Sequence, residues 1–417
     1  MIKVITYGTY DILHYGHIRL LERAKALGDY LIVGVTSDDY DKTRGKINNK
    51  QSLMERISAI EATGLADEII VEEYEGQKID DIKRLGVDIF TVGSDWVGKF
   101  DYLKEYCKVV YLDRTQGVSS SDIRAKSRKL KIGVLGKGNI VKKFINECGF
   151  VNGVEIVEED FDAIYIATKP ETHYELIKEY LNQGKHVICE SPIAETIEEY
   201  KELLKLAQNK GLILMDGIKT AYATAYQRLL LLVQSGKIGE VVSVDAVCTS
   251  MSDFQNGLPL TDKWNSICAW GPTALLPIFQ ILGTDYKSKQ IISSFIDEEK
   301  KFDGFTKIDF IYDKAVASIK VAQAAKAEGE LVIAGTKGYI YVPAPWWKTD
   351  YFEVRYENSS ENRRYFYQLD GEGIRYEIVA FSKSIETGKN IGNISSDVSE
   401  AMAKIVEDMS QHKVIEI

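Results

Sequence analysis

Two of the five histidines in this 417-residue chain, His14 and His17, stand three residues apart in TYGTYDILHYGH, directly after a short apolar run. Side chains at i and i+3 of a helical turn share a face, so the pair can address one anion. Gly16 between them has no Cβ and lets an anion approach the backbone. A helix starting here adds free N–H groups and partial positive charge. That combination suits a polyphosphate, whose bridging oxygen gains negative charge as it leaves. A metal centre needs further ligands that the neighbouring sequence does not offer, and no metal-ligand set is assigned. By themselves, two such histidines are more often ordinary helix-start residues.

Three more segments shift that balance. GSDWVGKFD (Gly93–Asp101) follows the strand pattern DIFTV, and RTQGVSSSDIR (Arg114–Arg124) follows KVVYL. In the second, Ser119, Ser120 and Ser121 stand where a helix begins, offering hydroxyls and N–H groups to a phosphate. Arg114 brings fork geometry for phosphate oxygens. KTRGK (Lys42–Lys46) sets three cations in a loop after another strand. At one edge of one sheet, these pieces make a triphosphate pocket.

The elements that must position them alternate. KVITYG, YLIVGV, EIIVEE, DIFTVG and KVVYL read as strands, separated by the helical patterns HIRLLERAKALG, LMERISAIEATG, IDDIKRLG and YLKEYC. Alternation of this kind implies a mostly parallel sheet covered on both faces, with ligands beyond the C-terminal strand ends. KIGVLGKGN (Lys131–Asn139) restarts the pattern with a second strand and glycine turn. After about Gly217 the texture changes to longer strand runs such as VVSVDAVCTS and AVASIKVAQAA. The fold class is therefore α/β: a Rossmann-like domain with a parallel sheet at 1–128, a shortened Rossmann domain at 129–216, and an α+β domain with a large, mostly antiparallel open-faced sheet at 217–417.

Apolar residues make up 45% and charged residues 27%, a globular composition. Net charge is −10, without the basic footprint of a nucleic-acid binder. RAKSRKLK (Arg124–Lys131) reads as a solvated linker at the domain junction. No run approaches the ~18–20 apolar residues of a membrane span, and MIKVITYG is a strand pattern rather than a secretion signal. The five cysteines form no CxxC pair, so buried thiols in a reducing compartment are expected. Cytoplasm, small-molecule partners, no nucleic acid and no membrane follow as expectations, with a homodimer or higher homo-oligomer.

TYGTYDILHYGH, GSDWVGKFD and RTQGVSSSDI, in that order over about residues 1–125, resemble the glycerol-3-phosphate cytidylyltransferase family of HxGH nucleotidyltransferases. The resemblance implies that CTP and a polyol phosphate give a CDP-polyol and pyrophosphate with Mg²⁺, in a cell-envelope polysaccharide role. His14, His17, Lys46 and Arg114 would be the catalytic set. Thr9, Tyr10, Asp11, Gly16, Arg44, Asp95, Trp96, Thr115, Ser119 and Ser120 would bind CTP. One departure is Gly64 in ATGLADE, where the family carries an arginine; a longer polyol phosphate is then an alternative acceptor.

KIGVLGKGNI and FDAIYIATKPETHYELIKEYLNQGKHVICESPIA resemble the glucose–fructose oxidoreductase and inositol dehydrogenase (Gfo/Idh/MocA) family, over most of residues 131–417. That family pairs an NAD(P)-binding Rossmann domain with an open-faced sheet holding a sugar-like substrate. Gly136 and Gly138 match the first two glycines of its fingerprint, and Val141 replaces the third. Where the family has a catalytic lysine in "EKP", this chain reads Glu190-Ser191-Pro192, and Thr273 stands where a histidine is usual. Lys219, after the ILMDG strand, is a candidate substitute. His173 and His186 match structural positions. Only four residues separate VEIV (Val154–Val157) from the DAIYIA strand, a reach of about 14 Å. The two strands are therefore expected not to flank the first strand as a Rossmann order requires, with a helix–strand–helix unit missing. The alternatives for this half are an active NAD(P)-dependent reductase supplying the polyol phosphate, or a non-catalytic oligomerisation or sensing domain.

Overall fold

A computed structural model describes residues 1–43, 51–74, 76–113, 129–251, 264–297, 302–367 and 369–417. The chain divides into two compact units, Met1–Arg128 and Lys129–Ile417.

The first unit is built on strands β1 (Lys3–Gly8), β2 (Tyr30–Thr36), β3 (Glu68–Glu72), β4 (Ile89–Gly93) and β5 (Lys108–Leu112), all parallel in the order β3-β2-β1-β4-β5. The chain winds outward from β1 and then crosses to β4. The crevice beyond β1 and β4 is thus the topological switch point. Strand residues alternate between two buried faces. Val4, Leu31 and Val33 pack with Leu21, Ala24 and Ile60, whereas Ile5, Ile32 and Phe90 pack with Ile82 and Leu103. Burial on both faces is why these strands read as unbroken apolar runs. Helices α1 (Tyr15–Lys25), α2 (Asp38–Thr43), α3 (Leu53–Glu61) and α4 (Gln77–Leu85) connect them. Ser52 and Glu55 form a capping box that starts α3. The helix expected at YLKEYC is instead a 3-10 turn, Asp101–Glu105. Tyr106 N bonds back three residues, to Leu103, and the one i−4 bond, from Cys107 N to the Leu103 carbonyl, is not continued before β5 begins.

The second unit opens with β6 (Leu130–Gly136), β7 (Val154–Ile156), β8 (Ala163–Ala167), β9 (His186–Glu190) and β10 (Leu214–Gly217), parallel in the order β10-β9-β8-β6-β7. The expected displacement of the VEIV and DAIYIA strands is overturned: β7 and β8 do flank β6. The reason is register. β7 pairs only with Leu130–Ile132, and β8 begins opposite Ile132. The link therefore makes no return trip along a strand. It spans two inter-strand spacings, about 10 Å, across the face of β6, where Phe161 lies against Gly133. No helix or strand intervenes between β7 and β8, so the helix–strand–helix unit is missing as expected, while β7, cut to three residues, keeps its place beside β6.

A nine-stranded sheet follows: β11 (Val241–Thr249), β12 (Ser288–Asp297), β13 (Phe302–Ile311), β14 (Val316–Ala322), β15 (Leu331–Gly335), β16 (Tyr339–Val342), β17 (Tyr351–Arg355), β18 (Arg363–Phe366) and β19 (Ile415–Glu416). Its order is β18-β17-β16-β15-β11-β14-β13-β12-β19, antiparallel except at β11/β14 and β12/β19. Helices α5 (Asn139–Cys148), α6 (Pro170–Asn182) and α7 (Ile197–Lys210) belong to the parallel sheet. α8 (Thr224–Gln234), α9 (Ser266–Leu282), α10 (Ile374–Thr387) and α11 (Ser396–Ser410) follow it in the chain. The apolar α9 lies on β11, β13 and β14. Among the described residues no helix is long and apolar enough to cross a membrane. The cysteines are free, four of them buried and Cys107 partly exposed.

Candidate active site

In the first unit, β1 delivers the chain into the turn Thr9–Leu13 at the switch point. Tyr10 (φ 54°) and Ile12 (φ 49°) both lie in the left-handed region, which side chains disfavour by about 1–2 kcal/mol each. The surroundings hold that strain in place. Thr9 Oγ1 donates to Asp41 Oδ1 (2.9 Å), Gln51 N donates to Asp11 Oδ1 (3.0 Å), and Ile12 N donates to Gln51 Oε1 (2.7 Å). Arg56, fully buried, donates to the carbonyls of Thr9 (2.6 Å) and Thr36 (2.8 Å) and to Asp38 Oδ1 (2.6 Å). One guanidinium thereby ties the ends of β1 and β2 together. The side chains of Tyr10 and Asp11 are buried, the former in the core beside Leu21 and Val33. Both shape the turn from inside.

His14 is the N-cap of α1, its Nδ1 accepting from Gly16 N at 3.0 Å. The His17 ring stacks on that of His14, centroids 3.9 Å apart and planes 17° from parallel, and the Tyr10 ring meets His17 edge-on at 5.5 Å. The first turn of α1 carries no acidic residue, while Arg23 and Lys25 occupy its last turn. The N-terminal end therefore keeps its positive field for an anion.

Beyond β4, the 3-10 turn Ser94–Trp96 holds Asp95 and Trp96 at the same edge. Trp96 is 36% exposed, its ring flanked by Phe100 at 5.8 Å and by the Lys99 ammonium at 5.4 Å. Tyr111 braces this loop, donating to Asp101 Oδ1 (2.9 Å) and accepting from Phe100 N (3.2 Å). Arg44, Lys46, Arg114, Thr115, Ser119 and Ser120 lie outside the described residues.

Arg56 was missed by motif reading, and so was the buried Lys78–Glu72 ion pair, in which Thr36 Oγ1 also bonds Glu72 at 2.8 Å. The available signal was a cation inside an apolar helical stripe: Arg56 falls between Leu53 and Ile60, and Lys78 one turn before Ile82.

In the second unit, Gly136 (φ 137°) and Gly138 (φ 103°) turn the chain from β6 into α5. A Cβ on Gly136 would lie 2.3 Å from the Ala167 carbonyl oxygen, so only glycine fits there. The turn opens onto a 680 Å³ cavity lined by Lys137, Lys143, Glu190, Lys219, Trp270 and Lys348, among others. Glu190 sits at the end of β9 and accepts from Tyr165 Oη at 2.6 Å. Burial raises its carboxyl to about 7, opposed by the Tyr165 bond and by Lys219. Burial also lowers the Lys219 ammonium, against the pull of Glu372. A carboxyl and an amine both moved toward neutrality, in one cavity, can exchange protons with a carbonyl or hydroxyl.

Ser191 turns away from that chemistry. Its hydroxyl donates to the buried Asp216 Oδ1 at 2.6 Å, and Ser399 bonds the other oxygen. Thr273 lines the cavity. His173 is buried with Nδ1 on the Pro192 carbonyl oxygen (2.7 Å) and Nε2 on that of Thr168 (3.1 Å), and His186 Nδ1 accepts from Ile213 N. Both histidines are structural.

A cytidylyltransferase-like family model matches residues 5–126. The glycerol-3-phosphate cytidylyltransferase of Bacillus spizizenii is 51% identical over 124 residues, 30% of this chain and 95% of the relative. The chain belongs to the glycerol-3-phosphate cytidylyltransferase family. The Staphylococcus aureus enzyme of that name is 46% identical over 124 residues, covering 93% of its length. This chain is a nucleotidyltransferase with an added second unit. In that unit, residues 139–218 match the model for the oxidoreductase family with an NAD-binding Rossmann fold, so it carries a Gfo/Idh/MocA oxidoreductase domain. A 3-ketoreductase from Actinomadura kijaniata, solved with NADP and TDP-benzene, is similar in fold over 70% of this chain and 99% of its own, with a TM-score of 0.60 at 16% identity.

Proposed function

We propose that the first unit is a CTP:glycerol-3-phosphate cytidylyltransferase, with the stacked His14–His17 pair at the N-terminus of α1 as the observation that carries the reading. An oxygen of the polyol phosphate attacks the α-phosphorus of CTP in line. The new P–O bond forms as the bond from the α-phosphorus to its bridging oxygen breaks, and the electron pair leaves with pyrophosphate. His14, His17 and the positive N-terminal end of α1 face the charge that gathers on the bridging oxygen. Positioning and charge stabilisation supply the acceleration. Trp96 offers a face for the cytosine ring and Asp95 an acceptor beside it, with Lys46, Arg44, Arg114, Thr115, Ser119 and Ser120 completing the phosphate contacts. Among the described residues no group of three or more His, Cys, Asp or Glu side chains is placed to hold a metal; Mg²⁺ would enter as part of the substrate, travelling with the triphosphate. A cytoplasmic homo-oligomer feeding cell-envelope polymer synthesis fits this activity.

The test is pyrophosphate release from CTP and Mg²⁺ with glycerol 3-phosphate as acceptor, beside ribitol 5-phosphate. Rapid release with the first supports the assignment. Release only with the longer acceptor makes Gly64, which has left-handed φ (66°) and open space around it, the mark of a changed specificity.

A second reading concerns the second unit: an NAD(P)-dependent reductase making the polyol phosphate that the first unit consumes. Lys219 in the cavity beside Glu190 favours it, as donor of a proton to a carbonyl. A bound nicotinamide would supply the hydride. The Gly136–Gly138 turn fits a pyrophosphate, but β7 ends opposite Ile132, four residues short of Gly136 and so about 13 Å below the turn. Glu158 and Glu159 therefore stand low on the sheet, below the level of the glycine turn. Saturable nicotinamide fluorescence on adding NADH or NADPH supports the reductase; its absence leaves a binding domain.

A further inference from the structure

Four lysines from four separate elements line the cavity of the second unit: Lys137 in the glycine turn, Lys143 on α5, Lys219 after β10, and Lys348 in the 3-10 turn Trp346–Lys348. Three of them converge on one carboxylate. Lys143 Nζ lies 2.7 Å and Lys348 Nζ 3.4 Å from Glu372 Oε1, and Lys219 pairs with Oε2. Glu372 belongs to the turn Asp370–Gly373, where Gly371 (φ 59°), Glu372 (φ 54°) and Gly373 (φ 93°) are all left-handed. A non-glycine residue kept in that region within a sharp turn marks a side chain that the fold places on purpose. The turn is also docked tightly: a Cβ on Gly373 would lie 2.2 Å from the Lys219 carbonyl oxygen.

The charges do not balance. Beside the four ammonium groups, Glu372 is firmly ionised, its carboxyl held at about 2: the lysines outweigh its burial. Glu190 is neutral for much of the range below 7, Glu377 is buried and held protonated well above the usual carboxylate range, and Glu147 is taken by Arg375 at 2.8 Å. Four lysines against one firmly ionised carboxylate leave the cavity lining net positive, which favours an anionic ligand. Trp270 and Trp347, with ring centroids 4.9 Å apart, give apolar walls for a short carbon chain. β7 ends opposite Ile132, short of the glycine turn that opens onto the cavity.

We propose that this cavity binds a small phosphomonoester, its phosphate held by Lys143, Lys219 and Lys348 and its arrival displacing the Glu372 carboxylate, which acts as an internal counter-ion. Binding of this kind requires no hydride transfer, so it fails or succeeds separately from the reductase reading. The ligand class matches the acceptor of the first unit, and a phosphorylated polyol or ketose is the expected occupant.

The experiment uses the full-length Trp96→Phe protein, in which every remaining tryptophan lies in the second unit. Tryptophan fluorescence is titrated with inorganic phosphate, glycerol 3-phosphate and glycerol. Saturable changes are expected with the two phosphates and none with glycerol. Lys143→Ala/Lys348→Ala, at partly exposed positions, should weaken phosphate tenfold or more. Glu372→Gln should tighten it several-fold by neutralising the competitor. Equilibrium dialysis of labelled phosphate against wild type and the double lysine variant repeats the comparison without the fluorophore. Absence of saturation, unchanged affinity in the double variant, or weaker binding in Glu372→Gln would overturn the proposal. Displacement of phosphate by NADPH would assign the lysines to a dinucleotide and overturn it as well.

Discussion

The imidazoles of His14 and His17 lie face to face, 3.9 Å between centroids, at the first turn of a helix whose N-terminal end carries no acid. His14 spends one ring nitrogen on Gly16 N. That bond orients the ring, and the stack in turn orients His17. Replacing either histidine by alanine should reduce kcat by about 10²- to 10³-fold, the usual loss for one preorganised donor to a developing oxyanion. Circular dichroism should stay unchanged. Near-normal pyrophosphate release in both variants would reject the triphosphate-clamp assignment.

Arg56 is the brace on which the Thr9 turn depends. Arg56→Ala leaves the carbonyls of Thr9 and Thr36 without their buried donor, at a cost of about 1–3 kcal/mol each, and the first unit should unfold at clearly lower urea. Arg56→Lys keeps the charge but not the fork. It should fold while losing roughly 10²-fold in kcat/KM for CTP through misplacement of the turn. Wild-type kinetics in the lysine variant would remove Arg56 from the positioning of the site.

Glu190 makes a signed prediction about pH. Its folded value is raised from the ordinary 4.5 to about 7 by burial. A raised carboxyl contributes its full stability below the unfolded value and loses it as pH rises through the folded one. The wild type should therefore lose roughly 3 kcal/mol from this group between about pH 4.5 and 7. Glu190→Gln still accepts from Tyr165 and should show no such loss. The variant should melt several degrees above wild type at pH 8 and alongside it at pH 4.5. Parallel pH profiles would contradict the burial argument.

Gly136 tests the second glycine turn. An alanine there meets the Ala167 carbonyl oxygen at 2.3 Å with φ at 137°, and the strain and overlap should destabilise the protein by about 2–4 kcal/mol. Gly138→Ala meets no atom within 4 Å and carries only the backbone strain at φ 103°. A smaller drop in the urea midpoint is expected for it. Equal effects at the two positions would mean that the close approach of β6 to β8 carries no weight.

Motif spacing pointed to the first candidate site, whose described residues stand in the turns after β1 and β4. TYGTYDILHYGH and GSDWVGKFD each lie within one strand-to-helix turn, so the residues that act together are neighbours in the chain. Arg56 escaped because its partners Thr9 and Thr36 are 47 and 20 residues away. The cation in an apolar stripe announced burial without saying what the cation would hold. The second site was less legible still. Lys219 was noticed for following a strand, but Lys143 and Lys348 had no local feature to single them out.

The sequence by itself determined the alternation of strand and helix, the glycine turns after β1 and β6, and the family of the first unit. These depend on periodicity and on residues a few positions apart, which the chain's own geometry brings together. It misjudged the β7–β8 link, because strand length and register are settled by pairing with β6 and not by the apolar run that marks a strand. Only the tertiary structure brought Lys143, Lys219 and Lys348 onto Glu372, across sequence separations of up to 229 residues. No local pattern encodes such a meeting: it follows from the order of strands in the sheets and from where each connecting loop returns.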